Sequence, residues 1–164
     1  MTDKTKLYLD ACIFVAYFYD KHPNHLEIRK CVEGLRETFD FDIYASYWSV
    51  NEMIKVLIRE YGYRRQDADK IAKIVFDTSS LGNLRFKWVE PDSGSEYTFR
   101  EFFDHLTTHL IESKEIHLAD AFHSVIMMNN NIEHILTTNG DDFKGLGTFT
   151  PIEPKVFNVI LDNS

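Results

Sequence analysis

Cysteine is nearly missing from this chain, with Cys12 and Cys31 the only two in 164 residues. They form neither a CxxC pair nor a disulfide framework, which fits a reducing compartment. Four prolines and seven glycines are too few and too scattered to mark a long linker, and no internal repeat is visible. Long apolar runs are missing too. The longest, Ala11 to Tyr19, has nine residues, against the roughly 20 that a membrane span needs. The opening Met1-Thr2-Asp3-Lys4 lacks the charged-then-apolar layout of a signal peptide, so the expectation is a cytoplasmic protein with no membrane partner. Positive charge is scarce: 18 Lys and Arg stand against 26 Asp and Glu, a net charge of −8. Phosphate affinity normally comes from clustered Lys and Arg, so a simple basic nucleic-acid binder is excluded. Phosphate chemistry on an acidic chain needs a bound cation.

What is present suffices for a core: 44% hydrophobic and 14% aromatic residues, expected to form one domain over 1–164. Leu7 to Leu9 reads as a short buried strand, and the apolar run from Ala11 as a helix. Leu26, Ile28, Val32 and Leu35 predict an amphipathic helix. Asp42 to Ser46 is a second strand. Ser49-x-x-Glu52 matches a capping box, opening a helix that Gly62 stops. A helix over Gln66 to Asp77, an extended Arg85 to Val89, helices over Glu96 to Ser113 and Leu118 to Asn129, and a strand over His134 to Thr137 follow. Short apolar strands separated by helices predict an α/β domain with a mostly parallel sheet.

Ligands of such sheets sit beyond the carboxyl ends of the strands. Asp10 follows the first strand, and the loop Thr137 to Asp142 follows the strand at His134. Glu52 and Asp120 fall in the first turns of two helices. Carboxylates meeting in one cleft repel one another unless a cation neutralises them. Mg²⁺ or Mn²⁺ is the usual choice, and such a site supports metal-dependent phosphodiester hydrolysis.

Four blocks carry a family resemblance: Tyr8-Leu9-Asp10-Ala11-Cys12, Ala45 to Glu52, Leu118-Ala119-Asp120-Ala121, and Leu136 to Phe143. In that order they resemble the signature blocks of the PIN domain, from about Leu7 to Pro154. The resemblance implies a three-layer α/β/α sandwich, a Mg²⁺- or Mn²⁺-dependent endoribonuclease leaving a 3′-hydroxyl, and frequently a homodimer. A toxin with a cognate antitoxin is among the roles it implies, RNA being the substrate. Asp10, Glu52 and Asp120 match family metal-binding acids. The last block departs from the frequent T-x-D by carrying Asn139, with Asp142-Phe143 matching the following D-F. That leaves Asn139, Asp141 and Asp142 as alternatives for the fourth ligand. The competing reading is a degenerate PIN-like module that binds RNA or protein without cutting.

Among the fourth-ligand candidates, Asp142 is preferred to Asp141, and Asn139-Gly140 is expected to turn the chain with φ > 0. Lys55, Arg59, Arg64 and Arg65 are candidates for a positive rim that meets RNA phosphates; an ordinary solvated helix face is the alternative. His123 follows Asp120 by three residues and can stand behind the ligands, although a core histidine is the commoner outcome. Cys12 reads as core. His105 and His109 lack the glutamate of a zinc-protease motif, and no P-loop is present. Tyr17, Phe18, Tyr19, Phe99, Phe102 and Phe103 are candidates for an exposed aromatic patch at a dimer interface.

Overall fold

A computed structural model describes residues 4–37, 41–90, 101, 104, 107–108, 117–143 and 149–162. The chain opens with β1 (Thr5–Leu9), α1 (Ala11–Phe18), α2 (His25–Glu37) and β2 (Phe41–Ala45). Next come α3 (Tyr47–Arg59), α4 (Arg65–Thr78), a hairpin of β3 (Ser80–Leu81) and β4 (Leu84–Arg85), and β5 (Lys87–Trp88). The rest comprises α5 (Leu118–Asn129), β6 (His134–Leu136), a 3₁₀ turn (Gly140–Phe143), β7 (Thr150–Ile152) and α6 (Pro154–Asp162). Five strands form one parallel sheet in the order β5-β2-β1-β6-β7.

β1 is the central strand, and Leu7, Tyr8 and Leu9 are all fully buried. Strand side chains alternate between faces, so these three residues divide the core. Leu7 and Leu9 pack with residues of α1, α2, α3, α4 and α6, whereas Tyr8 packs with Ile126 and Met127 of α5 and with Ile135 of β6. Helices on both faces of a parallel sheet give the expected α/β/α sandwich.

α1 is apolar nearly all round because it is nearly all buried: Ala11, Ile13, Phe14, Val15 and Ala16 are inside. In α2 the buried stripe is Ile28, Cys31, Val32 and Leu35, which is i, i+3, i+4, i+7 spacing. Leu26 lies off that stripe and is 81% exposed, which corrects the expectation that it faces the core.

The capping box is also corrected. Ser46, extended directly after β2, is the N-cap of α3, and its hydroxyl accepts the Ser49 N–H at 3.2 Å. The helix therefore begins three residues earlier than Ser49 as cap requires, and Glu52 lies in its second turn, free of any capping role. Gly62, at φ +71°, follows the end of α3 as expected. The extended Arg85 to Val89 is divided between β4 and β5, and Gly82, at φ +59°, turns the β3–β4 hairpin against the Tyr17 hydroxyl, where a Cβ has no room.

Tyr17, Phe18 and Tyr19 do not form the expected exposed patch. They are half-buried against the core, with Tyr19 stacked on Tyr61 at 4.1 Å and Arg29 over the Tyr17 ring at 5.0 Å. Phe99, Phe102, Phe103, His105 and His109 lie outside the described residues. Among the described residues no helix is long and apolar enough to cross a membrane.

Candidate metal centre

Because the strands run parallel, their carboxyl ends share one edge, and β1 lies where the strand order reverses, with β2 on one side and β6 on the other. Ligand crevices form at such points. Asp10 is the first residue beyond β1 and caps α1, its Oδ1 accepting the Ala11 N–H at 2.6 Å. Its Oδ2 accepts the Thr137 hydroxyl at 2.6 Å and the Cys12 thiol at 3.1 Å. Thr137 is the first residue beyond β6, anchored by its N–H to the Ile152 carbonyl at 3.1 Å. Two strand ends and a helix start thus fix one buried carboxylate.

Glu52 arrives from α3 and His123 from α5. The His123 Nε2 is 2.9 Å from Glu52 Oε2 and 3.5 Å from Asp10 Oδ1, and the ring is fully buried. Asp10, Glu52 and His123 present atoms able to hold a metal within 4.8 Å of one another. Behind the ring, the Tyr8 hydroxyl lies 2.8 Å from His123 Nδ1, 2.6 Å from Ser46 Oγ and 3.1 Å from Ser49 Oγ.

Asp120 precedes His123 by three residues, which places the two on neighbouring positions of one helix face. Burial first, and then the charges of Asp142, Asp10 and Glu52, push its carboxyl up to about 6, while His123 pulls it down. Asp142 is therefore the largest electrostatic influence on Asp120. It belongs to the 3₁₀ turn, where its N–H donates to the Asn139 carbonyl at 3.1 Å.

These groups open into a cleft of about 280 Å³ whose lining includes Asp10, Glu52, Glu60, Asp120 and Asn139 and, among the described residues, no lysine or arginine. The Asn139-Gly140 turn differs from expectation, since neither residue adopts positive φ. The Thr137 hydroxyl accepts the Asn139 N–H at 3.0 Å instead, and the 3₁₀ turn continues from there. Cys12 is corrected as well: it is only half-buried, with its Sγ accepting the Thr138 N–H at 3.2 Å beside Asp10.

The four basic candidates divide. Lys55 and Arg59 are exposed on α3, and Lys55 shares with Trp48, Glu52 and Leu118 a second cleft of about 320 Å³. Arg64 immediately precedes α4 and is paired with Asp67 at 2.7 Å, while Arg65 is exposed in the first turn of that helix. Sequence reasoning passed over Tyr8, Ser46 and Thr137. The readable signals were a tyrosine inside a buried strand and a serine and a threonine directly after strand ends.

The donor set suits a divalent cation. Carboxylate oxygens are hard ligands, and an acid held near 6 by burial and then by its acidic neighbours is relieved by positive charge. No curated protein matches the chain in sequence. In fold, it is similar to VapC20 of Mycobacterium tuberculosis, described as a sarcin-ricin loop cleaving toxin, with a TM-score of 0.63 at 16% identity, covering 88% of this chain and 96% of that one. It is similar also to a chain of VapBC2 from Rickettsia felis, solved bound to a DNA fragment from their promoter, with a TM-score of 0.61 at 17% identity and coverage of 91% and 98%. A third likeness is to VapBC-1 from nontypeable Haemophilus influenzae, with a TM-score of 0.62 at 13% identity and coverage of 92% and 99%. The PIN domain profile spans residues 7–147, which takes in Asp10, Glu52, Asp120 and Asp142 together, and the chain is a member of the PIN domain family.

Proposed function

We propose that this protein is a Mg²⁺- or Mn²⁺-dependent endoribonuclease that hydrolyses RNA phosphodiester bonds, acting as the toxin of a toxin–antitoxin pair. The observation that carries the reading is the convergence of Asp10, Glu52, Asp120 and the charge of Asp142 on one strand edge whose cleft, among the described residues, is lined by no lysine or arginine. In this reading Asp10, Glu52, Asp120 and Asp142 hold the cation, with the Asn139 amide oxygen as a neutral donor. A bound ion of this kind activates water and neutralises charge developing on the phosphate.

The chain's own contributions follow from geometry. Asp10 is already oriented by three donors, so little reorganisation is left for the reaction, and its Oδ1, which accepts one of them, keeps a further lone pair. Asp120, whose carboxyl is raised to about 6 by burial and by its acidic neighbours, gives that proton up as a cation binds beside it. Lys55 and Arg59, at i+3 and i+7 from Glu52, supply phosphate contacts at the rim, with Arg65 beyond them. Arg64 contributes less, its charge being shared with Asp67. The toxin role and an antitoxin partner draw support from the likeness to VapC20 and the VapBC assemblies.

The test is cleavage of a structured RNA by the purified chain in Mn²⁺, alongside Asp10→Asn and Asp120→Asn. Cleavage by the wild type alone supports the reading. Equal degradation by all three proteins overturns it. Asn139, which replaces an acid by a neutral amide, favours a second reading, an RNA-binding module without cleavage. That reading predicts RNA binding that is unchanged by chelators.

A further inference from the structure

The buried network behind the acids has a function of its own. We infer that His123 is a positioning residue: its Nε2–H holds the Glu52 carboxylate, and Tyr8, fixed by Ser46 and Ser49, sets the ring that does so. This inference rests on the metal-dependent reading above.

The argument is an accounting of protons. The Ser49 hydroxyl donates to the Leu9 carbonyl at 3.1 Å, so Ser49 Oγ is left as an acceptor. Ser46 Oγ accepts the Ser49 N–H and has one proton to give. If the ring is neutral, Ser46 donates to the Tyr8 oxygen at 2.6 Å, and Tyr8 donates to His123 Nδ1 at 2.8 Å. The ring proton then sits on Nε2, facing Glu52 at 2.9 Å. If the ring is charged, Nδ1–H donates to Tyr8, Tyr8 donates to a serine, and Nε2 still carries a proton. The remaining arrangement, a bare Nε2, turns a lone pair toward Glu52 at 2.9 Å and Asp10 at 3.5 Å, which is repulsive.

In both allowed arrangements Nε2 is a donor. On this assignment Nε2 serves Glu52 and leaves the cation to the oxygen donors, although it lies within the cluster able to hold one. Glu52 needs such a clamp more than Asp10 does. Asp10 is held by Ala11, Cys12 and Thr137, whereas Glu52 is half-exposed on α3 and its one side-chain hydrogen bond among the described residues is to His123. The ring itself cannot swing: it is fully buried and meets the Tyr8 ring edge-on at 5.5 Å. Partners of this kind typically change metal affinity or activity by about 10–100-fold when removed.

Calorimetric titration of the full chain with Mn²⁺, Co²⁺ and Mg²⁺, on wild type, His123→Leu, His123→Gln and Tyr8→Phe, tests the inference, with thermal unfolding as the folding control. His123→Leu is expected to weaken all three ions by a similar factor, about 10–100-fold. His123→Gln, whose amide N–H can still reach Glu52, is expected to recover most of the loss. Tyr8→Phe should cost less, and nothing further in the His123→Leu background. Folded variants with wild-type affinity for every ion overturn the inference. So does a loss concentrated on Co²⁺ with no rescue by glutamine, because that is the signature of a direct nitrogen ligand. Should His123→Leu not fold, Tyr8→Phe and His123→Gln decide the matter by the same criteria. If Asp10→Asn also leaves Mn²⁺ affinity unchanged, the metal-dependent reading fails rather than the role of His123.

Discussion

The two ends of the central sheet carry opposite charge and manage it differently. At the amino ends of the strands, a depression of about 360 Å³ is lined by Lys4, Arg36, Arg85 and Lys87 with one acid, Asp42. Those cations are exposed, and two of them have nearby carboxylates: Lys87 lies 3.0 Å from Asp42, and Arg36 lies 3.2 Å from Glu37. Water screens the remainder, and each such pair is worth about 0–1 kcal/mol. At the carboxyl ends the charges are acidic, closer together and more buried, and no lysine or arginine lines their cleft among the described residues. The surface end is paired in part within the chain and otherwise screened by water. The buried end keeps an excess of negative charge, which adds to burial in raising the Asp120 carboxyl.

Breaking the acidic end should have the largest effect. Asp10→Asn or Asp120→Asn is expected to lower RNA cleavage by roughly two to four orders of magnitude, whereas Arg85→Ala at the opposite end should leave the rate unchanged in a gel assay. Metal removal is the next lever. Mn²⁺ at about 100 times its dissociation constant should stabilise the fold by about 2.7 kcal/mol. That is roughly 5–10 °C in melting temperature for a chain of this size, and scanning calorimetry in Asp10→Asn should show the lift abolished.

The final loop separates two adjacent acids. Asp142→Asn is expected to weaken Mn²⁺ binding about tenfold, close to 1.4 kcal/mol, and Asp141→Asn by less than about twofold. The reverse order in a titration would shift the register of the loop by one residue. Asn139→Asp should leave metal binding intact or tighten it, by adding charge where an amide now stands.

A smaller effect concerns pH in the metal-free protein. The folded chain favours protonated Asp120, whose carboxyl is raised from 3.8 to about 6. The stability this contributes is full below about pH 4 and is lost as pH rises through about 6. Discounted for the half-exposure of the side chain, it amounts to about 1 kcal/mol. Asp120→Asn should remove this part of the pH dependence between 4 and 7, as followed by urea unfolding in a chelator. Least of all, Lys87→Ala should cost under about 1 kcal/mol in urea unfolding, as expected of an exposed pair.

Several parts of this molecule were legible in the sequence because they depend on neighbours along the chain. The buried run Leu7-Tyr8-Leu9 next to Asp10, the stripe at Ile28, Val32 and Leu35, and Gly62 after α3 all follow from local period and turn chemistry. Where two local signals competed, the sequence misled. Ser49 matched a capping box with Glu52, and the end of β2, fixed by pairing with β1, made Ser46 the cap instead and so moved Glu52 out of the first turn. Asn139-Gly140 looked like a φ > 0 turn, but the Thr137 hydroxyl and a 3₁₀ turn supplied another route. The aromatic residues at 17–19 looked surplus until the rings of Tyr61 and the guanidinium of Arg29 were placed against them.

The sequence by itself determined that Asp10 would stand at a strand end and Asp120 at a helix start, because short-range patterning dictates where strands stop and helices begin. It could not say that His123 would be clamped between Glu52 and Tyr8, residues 71 and 115 positions away. That contact needs α3 and α5 to pack at one edge of β1 with their helical phases set, and a helix turns by about 100° per residue. A one-residue shift in where α3 begins points Glu52 elsewhere. Only the parallel pairing of β1 with β2 and β6 fixes that phase.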